Sequence, residues 1–291
     1  MNRREFIVGA TAAGVMSGAF AKEDPAGLRI RFLGTGASDW KGLDERGEWR
    51  RWSSILVDNA VLVDYTAQSV DQLPAGVRPE AIFNTHSHRD HYDPAAALKL
   101  GGKRAYGHES WAEGARKEFA AAAGELGVAV PAVRGLAFGE TVEERGVRFT
   151  CVPANHGTSR TGERAGRFLI EKGEVRLLYA TDTGGIMAEA ARIVGIDAHV
   201  RDGKPITALV MEATMGVGYE DDFRIYTHSS VDTVARIVRV LTATGRYLPP
   251  GRKVYLTHLA RTLHGTHAEV AAAVPAPLCP AHDGLEVVFG K

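Results

Sequence analysis

The sequence predicts an α/β fold in which two sheets pack face to face with helices on the outside. Its 291 residues are 45% apolar, which is enough to bury a large core in one domain. From Leu28 onward, short β-rich runs alternate with Ala-rich helical stretches, without a repeat of fixed period. This alternation favours a layered fold, because each sheet or helix must bury its apolar face against another element.

The individual elements follow from hydropathy patterns and turn residues. The alternating run Leu28–Leu33 predicts a first strand, and Ser54–Val57 with Val61–Val63 predicts a hairpin around Asp58-Asn59. Further strands are predicted at short apolar runs: Ala81–Phe83, Val147–Val152, Arg167–Ile170, Val175–Ala180, Ala208–Met211, Lys253–Leu256 and Glu286–Phe289. Helices are predicted where the spacing is Ala-rich or amphipathic: Pro94–Leu100, Ser110–Ala123, Gly185–Val194 and Val231–Leu241.

The first 21 residues predict an export signal rather than part of the fold. Arg3 and Arg4 precede an apolar, Gly/Ala-rich run, and Ala19-Phe20-Ala21 provides small residues for cleavage. The paired arginines resemble the twin-arginine signal, which exports folded proteins. Because the run is shorter than a comfortable membrane span, no stable membrane anchor is expected. We therefore expect the twin-arginine export machinery as a partner, a mature domain of residues 22–291, and a periplasmic or otherwise exported location.

Charge and cysteine content narrow the classes of function. The 35 basic residues balance the 35 acidic ones, so the chain offers no general field for long nucleic acid. A small anionic substrate remains open, and so does a homodimer. Cys151 and Cys279 are the only two cysteines, too few for a cysteine-rich zinc module. Two buried free thiols are favoured over a disulfide, since the sequence contains no geometry for a pair.

The segment His86-Ser87-His88-Arg89-Asp90-His91 carries the strongest chemical signal. Its histidines and aspartate suit a metal, because imidazole nitrogens and carboxylate oxygens are zinc ligands. In an extended segment His86 and His88 point to one side, while Asp90 and His91 turn toward a neighbouring point. The segment therefore predicts two ligands for each of two metals.

Other polar residues directly follow predicted strands. Asn155-His156, Thr181-Asp182-Thr183 and Thr257-His258 each come after an apolar strand, as the histidine motif does. Residues at strand ends lie on loops that a rigid scaffold positions. We expect these four segments to meet at a single edge of the sandwich.

Together these residues resemble the metallo-β-lactamase superfamily, over a region from about Leu28 to the C-terminus. The resemblance implies a four-layer αββα sandwich with two divalent transition-metal ions, zinc first, with manganese or iron as alternatives. The implied ligands are His86, His88 and His156 for the first metal, Asp90, His91 and His258 for the second, and Asp182 bridging both. The zinc β-lactamases have cysteine at the position that matches Asp182, so a true β-lactamase is not expected.

Within the superfamily, the chain is most similar to the ribonuclease Z-like phosphodiesterases, which include the cyclic phosphodiesterase attached to carbon–phosphorus lyase. The matching segments are Leu33-Gly34-Thr35-Gly36, Asn155-His156, Thr181-Asp182-Thr183-Gly184, Met211-Glu212-Ala213-Thr214, Thr227-His228-Ser229 and Leu256-Thr257-His258. The resemblance implies that His228 assists at the leaving group beside the metals, with Glu212 as its acidic partner. A tRNA nuclease is not expected, because the chain has no Gly/Pro-rich or Lys-rich arm to grasp tRNA.

These residues predict a metal-dependent hydrolase in which two metals share a hydroxide. Asp90 or Asp182 is expected to accept the proton of the attacking water, and His228 to protonate the leaving oxygen. The favoured substrate is a small phosphodiester, either linear or cyclic. The main alternative is a lactonase or carboxylic-ester hydrolase with the same metals, and a second alternative is a metal-binding protein without turnover.

Two further groups of residues are left open. The loop from Trp40 to Trp52 either packs on the sandwich through its tryptophans or forms a wall for substrate, and Arg50-Arg51 there is a candidate for meeting a phosphate. The remaining histidines fit no ligand position and are expected on the surface or in core hydrogen bonds, with His264 and His267 as candidates for lining the pocket: His108, His199, His264, His267 and His282.

Overall fold

The computed structural model describes residues 27–200 and 202–290, and within these ranges the strands form two seven-stranded sheets. The first sheet has the order β14-β1-β2-β3-β4-β5-β6, with β1 (Leu28–Gly34), β2 (Ser54–Val57), β3 (Val61–Val63), β4 (Ala81–Phe83), β5 (Arg104–His108), β6 (Ala132–Leu136) and β14 (Glu286–Phe289). The second has the order β13-β12-β11-β10-β9-β8-β7, with β7 (Thr141–Glu144), β8 (Val147–Pro153), β9 (Gly166–Lys172), β10 (Val175–Ala180), β11 (Ala208–Glu212), β12 (Val254–Thr257) and β13 (Leu278–Pro280). The predicted export signal at residues 1–21 lies outside the described residues.

Helices cover the outer faces of both sheets. They are α1 (Pro94–Lys99), α2 (Glu109–Leu126), α3 (Ala188–Val194), α4 (Val231–Thr242) and α5 (His267–Ala273), with 3-10 helices at Ala67–Gln72 and Phe223–Tyr226. One apolar cluster joins α1 and α2 to the first sheet, and another joins α3 and α4 to the second. With the cluster between the sheets, this arrangement is the four-layer αββα sandwich that the sequence predicted. None of the helices in the described ranges is long and apolar enough to span a membrane.

Aromatic packing between the sheets aligns the strands that lead to the polar segments. Phe83, the last residue of β4, stacks on Phe149 of β8 with ring centroids 4.1 Å apart, and on Tyr106 at 4.5 Å. Burial of such a side chain contributes roughly 1.5–3 kcal/mol. The contact fixes the end of β4 against β8, so the chain segments that continue from these two strands emerge side by side.

The predicted strands and helices are all present, with ends that shift by up to a few residues. Helix α3 begins at Ala188 rather than at Gly185, because Gly185 has a φ of +81°, which a right-handed helix does not allow. The sequence did not predict β5, β6, β7, β13 or α5. Strand β6 alternates exposed and half-buried residues and includes Arg134 and Gly135, so it lacks the apolar run that identified the other strands.

Candidate metal centre

Strand direction brings the predicted polar segments to one edge of the sandwich. Strands β10, β11 and β12 are parallel, with Ala180 opposite Met211 and Glu212 opposite Thr257, so residues after their ends emerge at one level. Strand β8 runs the same way as β10, because both are antiparallel to β9. The polar segments after β8, β10 and β12 therefore meet at this edge. The histidine motif, which follows β4 of the other sheet, joins them there, because His86 contacts His156 and His91 stacks on His258.

The first predicted ligand group consists of three imidazole rings that face one point. His86 Nε2 lies 2.9 Å from His88 Nδ1, and His156 Nε2 lies 3.2 Å from the same atom. Tetrahedral ligands at zinc–nitrogen distances of about 2.0–2.1 Å would be separated by roughly 3.3 Å. The spacing of these nitrogens therefore fits a single metal ion.

The second predicted group combines a carboxylate with two imidazoles. Asp90 Oδ2 lies 3.2 Å from His91 Nε2 and 3.4 Å from His258 Nε2. Asp182 borders both groups, because its Oδ2 lies 2.7 Å from His91 Nε2 while it also shares a cluster of metal-ligand size with His86. The carboxylate of Asp182 thus lies between the two groups, where a ligand shared by two ions would lie.

The electrostatics of the site also suit cations. Burial lowers the pKa of His86 well below its ordinary value, and His91 adds to this effect. Burial acts to raise the pKa of Asp182, but His258 and His91 outweigh it and hold that pKa well below its usual range. Burial also acts to lower the pKa of His91, yet Asp182, Asp90 and Asp64 raise it well above its usual value. Ionised carboxylates are costly to bury unless a positive charge lies beside them, and a metal ion would supply that charge here.

Sequence reasoning missed Asp64, which orients one ligand from behind. This fully buried carboxylate lies 2.8 Å from His91 Nδ1 and accepts hydrogen bonds from the backbone N–H and the hydroxyl of Thr85, both at 2.8 Å. Thr85 Oγ1 in turn lies 3.0 Å from His86 Nδ1. Such outer partners fix the orientation of a ligand ring. The signal was present in the sequence, since Asp64 directly follows β3, as the other site residues follow their strands.

The rings of His258 and His156 are fixed in the same way. Thr214 Oγ1 lies 2.8 Å from His258 Nδ1, and the carbonyl oxygen of Thr227 accepts a hydrogen bond from His156 Nδ1 at 3.2 Å. Each of these histidines therefore presents Nε2 to the centre, because Nδ1 is engaged elsewhere.

The structure also brings together His228 and Glu212 beside the ligand groups. His228 Nδ1 lies 3.1 Å from Glu212 Oε1 and 3.5 Å from Asp182 Oδ1. Glu212 is fully buried and accepts a hydrogen bond from the backbone N–H of Thr183 at 2.7 Å. Burial acts to lower the pKa of His228, but the charge and hydrogen bond of Glu212 outweigh it and raise the pKa to about 9.

The tryptophan loop is attached by its first tryptophan. Trp40 is 2% exposed, and its indole N–H donates to the carbonyl oxygen of Leu259 at 2.8 Å. Arg50 is buried, and its guanidinium donates to Thr35 Oγ1 and to the carbonyl oxygen of Ala281, both at 2.8 Å. The suggestion that Arg50 meets a phosphate is therefore wrong, because this guanidinium is used inside the fold.

Other open residues are also accounted for by contacts within the fold. His264 Nε2 lies 2.7 Å from the carbonyl oxygen of Ala213, and His267 Nδ1 lies 3.0 Å from Arg50 Nη2. His108 accepts a hydrogen bond from the backbone N–H of Ser110 at the start of α2. Cys151 is buried and Cys279 half-buried, and both are free thiols.

The fold and the two ligand groups define a metallo-β-lactamase-fold hydrolase with His/Asp clusters able to bind metals. Residues 55–259 match the family model described as beta-lactamase superfamily domain, so the chain belongs to this superfamily. No curated protein sequence matches the chain at a significant level.

Solved structures with the same fold are distant in sequence. A diphosphatase from the PhnP family is 22% identical, with 90% of this chain and 97% of that chain covered and a TM-score of 0.59. Zn²⁺-bound PqqB from Methylobacterium extorquens is 19% identical, with 89% and 99% covered and a TM-score of 0.64. Human tRNase Z, short form, is 15% identical, with 89% and 98% covered and a TM-score of 0.60. These similarities establish the fold.

Proposed function

We propose that this protein is a phosphodiesterase that hydrolyses a small linear or cyclic phosphodiester with two divalent metal ions. The observation that carries the proposal is the His228–Glu212 pair, which lies directly against Asp182 at the edge of the ligand groups. Both kinds of ester release an alkoxide, but attack on a carboxylic ester precedes cleavage of its C–O bond, whereas the P–O bond breaks in the transition state of phosphodiester hydrolysis. A dedicated proton donor for the leaving oxygen therefore favours the phosphodiester. The diphosphatase and the tRNase among the structures with this fold also support a reaction at phosphorus.

The metal ions would be held by the residues already described, with zinc as the first expectation and manganese or iron as alternatives. The first ion would take His86, His88 and His156, the second would take Asp90, His91 and His258, and Asp182 would bridge them. Bound there, the ions would supply Lewis acidity and generate a nucleophile from water at neutral pH. Asp90 or Asp182, whose carboxylates line the ligand groups, would accept the proton that this water loses.

His228 is placed to return a proton to the leaving oxygen. Within the described residues, the hydrogen bonds of its ring all involve Nδ1, which Glu212 and Thr214 hold at 3.1 Å each. The opposite nitrogen, Nε2, is therefore the atom that can donate to a substrate oxygen. Glu212 stabilises the protonated ring, because its buried carboxylate is ionised and hydrogen-bonded to it.

The test compares leaving groups in the His228→Ala variant. We expect the variant to keep most of its activity on a nitrophenyl phosphodiester, because nitrophenolate departs without a proton. On an alkyl or cyclic phosphodiester we expect a loss of roughly 10²–10⁴-fold, the usual effect of a positioned acid. Steady-state rates give the activities, and elemental analysis should find the metal content unchanged.

Two controls make this test decisive. The exposed His282 belongs to none of the ligand clusters in the described part of the chain, so His282→Ala should behave as the wild type on every substrate. Equal losses on both phosphodiesters, or loss of metal, would exclude the proton-donor role.

Hydrolysis of an acyl lactone or thioester by the wild type, without cleavage of any phosphodiester, would establish the lactonase or ester-hydrolase alternative instead. Full metal occupancy without any turnover would indicate a metal-binding protein.

We also propose that the protein is exported by the twin-arginine machinery, a proposal that rests on the sequence of its first residues. We expect the double change Arg3→Lys and Arg4→Lys to leave the precursor in the cytoplasm, because this machinery reads the paired arginines. Cell fractionation and N-terminal sequencing measure the outcome, with a mature chain that starts near Lys22 for the wild type. An uncleaved cytoplasmic wild-type chain would contradict the proposal.

A further inference from the structure

We propose that Glu163 is a positioning residue that sets the geometry of the first metal site, formed by His86, His88 and His156. The inference rests on the two-metal centre of the proposed function. It assigns a role to a carboxylate that belongs to neither ligand group.

Glu163 accepts two hydrogen bonds from Ser87, the residue between two predicted ligands. Its Oε1 accepts a hydrogen bond from the backbone N–H of Ser87 at 2.8 Å, and its Oε2 accepts one from the Ser87 hydroxyl at 2.5 Å. Ser87 separates His86 from His88, so the two bonds fix both the backbone and the side chain at the centre of the motif. The Glu163 side chain is completely buried, so water does not compete for these bonds.

The loop that carries Glu163 also carries the third predicted ligand. This loop runs from Ala154, directly after β8, to Ala165, directly before β9, and His156 lies near its start. Its two ends are joined by a hydrogen bond from Ala154 N to the carbonyl oxygen of Ala165 at 3.0 Å. Glu163, which lies 76 residues after Ser87, thus connects the loop of His156 to the histidine motif. One carboxylate holds together the two pieces of chain that make the first site.

The surroundings of Glu163 explain how this carboxylate is tolerated in a buried position. Arg160 Nε lies 3.8 Å from Glu163 Oε2, and Arg160 Nη2 lies 2.9 Å from Glu118 Oε1. The guanidinium also lies over the ring of Tyr92, 5.8 Å from its centroid. Two hydrogen-bond donors and a nearby cation offset the free-energy cost of burying this carboxylate. Its hydrogen bonds to Ser87 are therefore kept without a large loss of stability.

The second site depends on other partners. Asp64 holds His91, and Thr214 holds His258, each at 2.8 Å. Neither residue contacts Glu163 through a hydrogen bond in the described part of the chain. Loss of Glu163 should therefore act on one metal and leave the other in place.

The experiment measures Zn²⁺ binding to the mature protein by equilibrium dialysis with elemental analysis. We expect Glu163→Ala to raise the dissociation constant of one of the two bound ions about 10–100-fold and to leave that of the other unchanged. This is the usual effect of losing an outer partner of a metal ligand. Glu163→Gln should recover most of this affinity, because its amide can accept from the Ser87 N–H and donate to the Ser87 hydroxyl. The exposed Glu125→Ala serves as the matched control and should bind as the wild type.

Substitution with Co²⁺ identifies which ion is affected. The absorption spectrum of Glu163→Ala at limiting Co²⁺ should match that of His88→Ala, which lacks a ligand of the first site. Equal weakening of both ions, or wild-type binding of both, would overturn the role of Glu163. If Glu163→Ala fails to fold, Ser87→Ala applies the same test, since it removes only the hydroxyl bond. A wild-type protein that binds fewer than two ions would instead contradict the two-metal centre itself.

Discussion

The two ligand groups, the halves of the candidate centre, differ in the interactions with which they would hold a metal ion. The first group consists of three imidazoles, of which His88 and His156 are only half-buried, and its rings are backed by a hydroxyl and a carbonyl oxygen. The second group contains the carboxylate of Asp90, is buried throughout, and has the further carboxylate of Asp64 behind His91. The second half is thus defined by buried charge, and the first by hydrogen bonds that connect separate loops.

The two halves also differ in backbone conformation. Asp64, Asp182 and His258 adopt left-handed conformations, with φ of 52°, 44° and 56°, whereas the ligands of the first group do not. Each such residue costs on the order of 1–3 kcal/mol, unless its surroundings compensate. The strain is therefore concentrated where carboxylates converge, and we expect the second site to be the more rigid and the tighter of the two.

The largest effect is expected where the two halves meet. We expect Asp182→Ala to reduce the binding of both metal ions, because this carboxylate borders both groups. Activity should fall by more than the roughly 10–100-fold that follows the loss of an outer partner. Elemental analysis and steady-state rates measure the two effects.

The contrast for this variant is His88→Ala, which should lose one ion, while the exposed Asp221→Ala should lose neither. If Asp182→Ala retained one ion at wild-type affinity, its carboxylate would belong to one half only.

A graded removal of metal should separate the halves. We expect the first ion to leave at lower chelator concentration than the second, because the first group has no carboxylate of its own and is more accessible to water. The Co²⁺ spectrum after removal of one equivalent should match that of His88→Ala. Loss of both ions in one step would show that the halves do not differ in affinity, and full activity after exhaustive chelation would contradict metal-dependent hydrolysis.

The smallest effect is expected from the outer partners of the second half. Asp64→Asn should weaken binding of the second ion about 10–100-fold and binding of the first ion by less, because Asp64 contacts His91 directly but reaches His86 only through Thr85. Thr214→Val removes a neutral hydroxyl from His258, and also from His228 and Glu212; its effect on binding of the second ion should be smaller, since hydrogen bonds to charged groups are the stronger ones. Competition with a chromophoric chelator gives both affinities. Equal losses of affinity in Asp64→Asn and Thr214→Val would indicate that buried charge is not what distinguishes the second half.

The sequence predicted the residues that form the His/Asp clusters because the chemistry of each is encoded locally. His86, His88, Asp90 and His91 lie within one short segment, and their alternation already separates them into two pairs. His156, Asp182 and His258 each follow an apolar strand closely, and an apolar run of that length is visible without any knowledge of the fold. The layered architecture followed for the same reason, since apolar periodicity reports which faces must be buried.

Only the tertiary structure decided which partners hold those ligands in place. Asp64 and His91 are 27 residues apart, and Glu163 and Ser87 are 76 residues apart, so no periodicity along the chain connects them. The residue type of Arg50 predicted an exposed side chain. In the fold, neighbouring chain segments bury this side chain and provide oxygen acceptors for its guanidinium. A residue type and its immediate neighbours determine what a side chain can bind. The distance to its partner depends on how strands and loops cross, which is a property of the packed sheets.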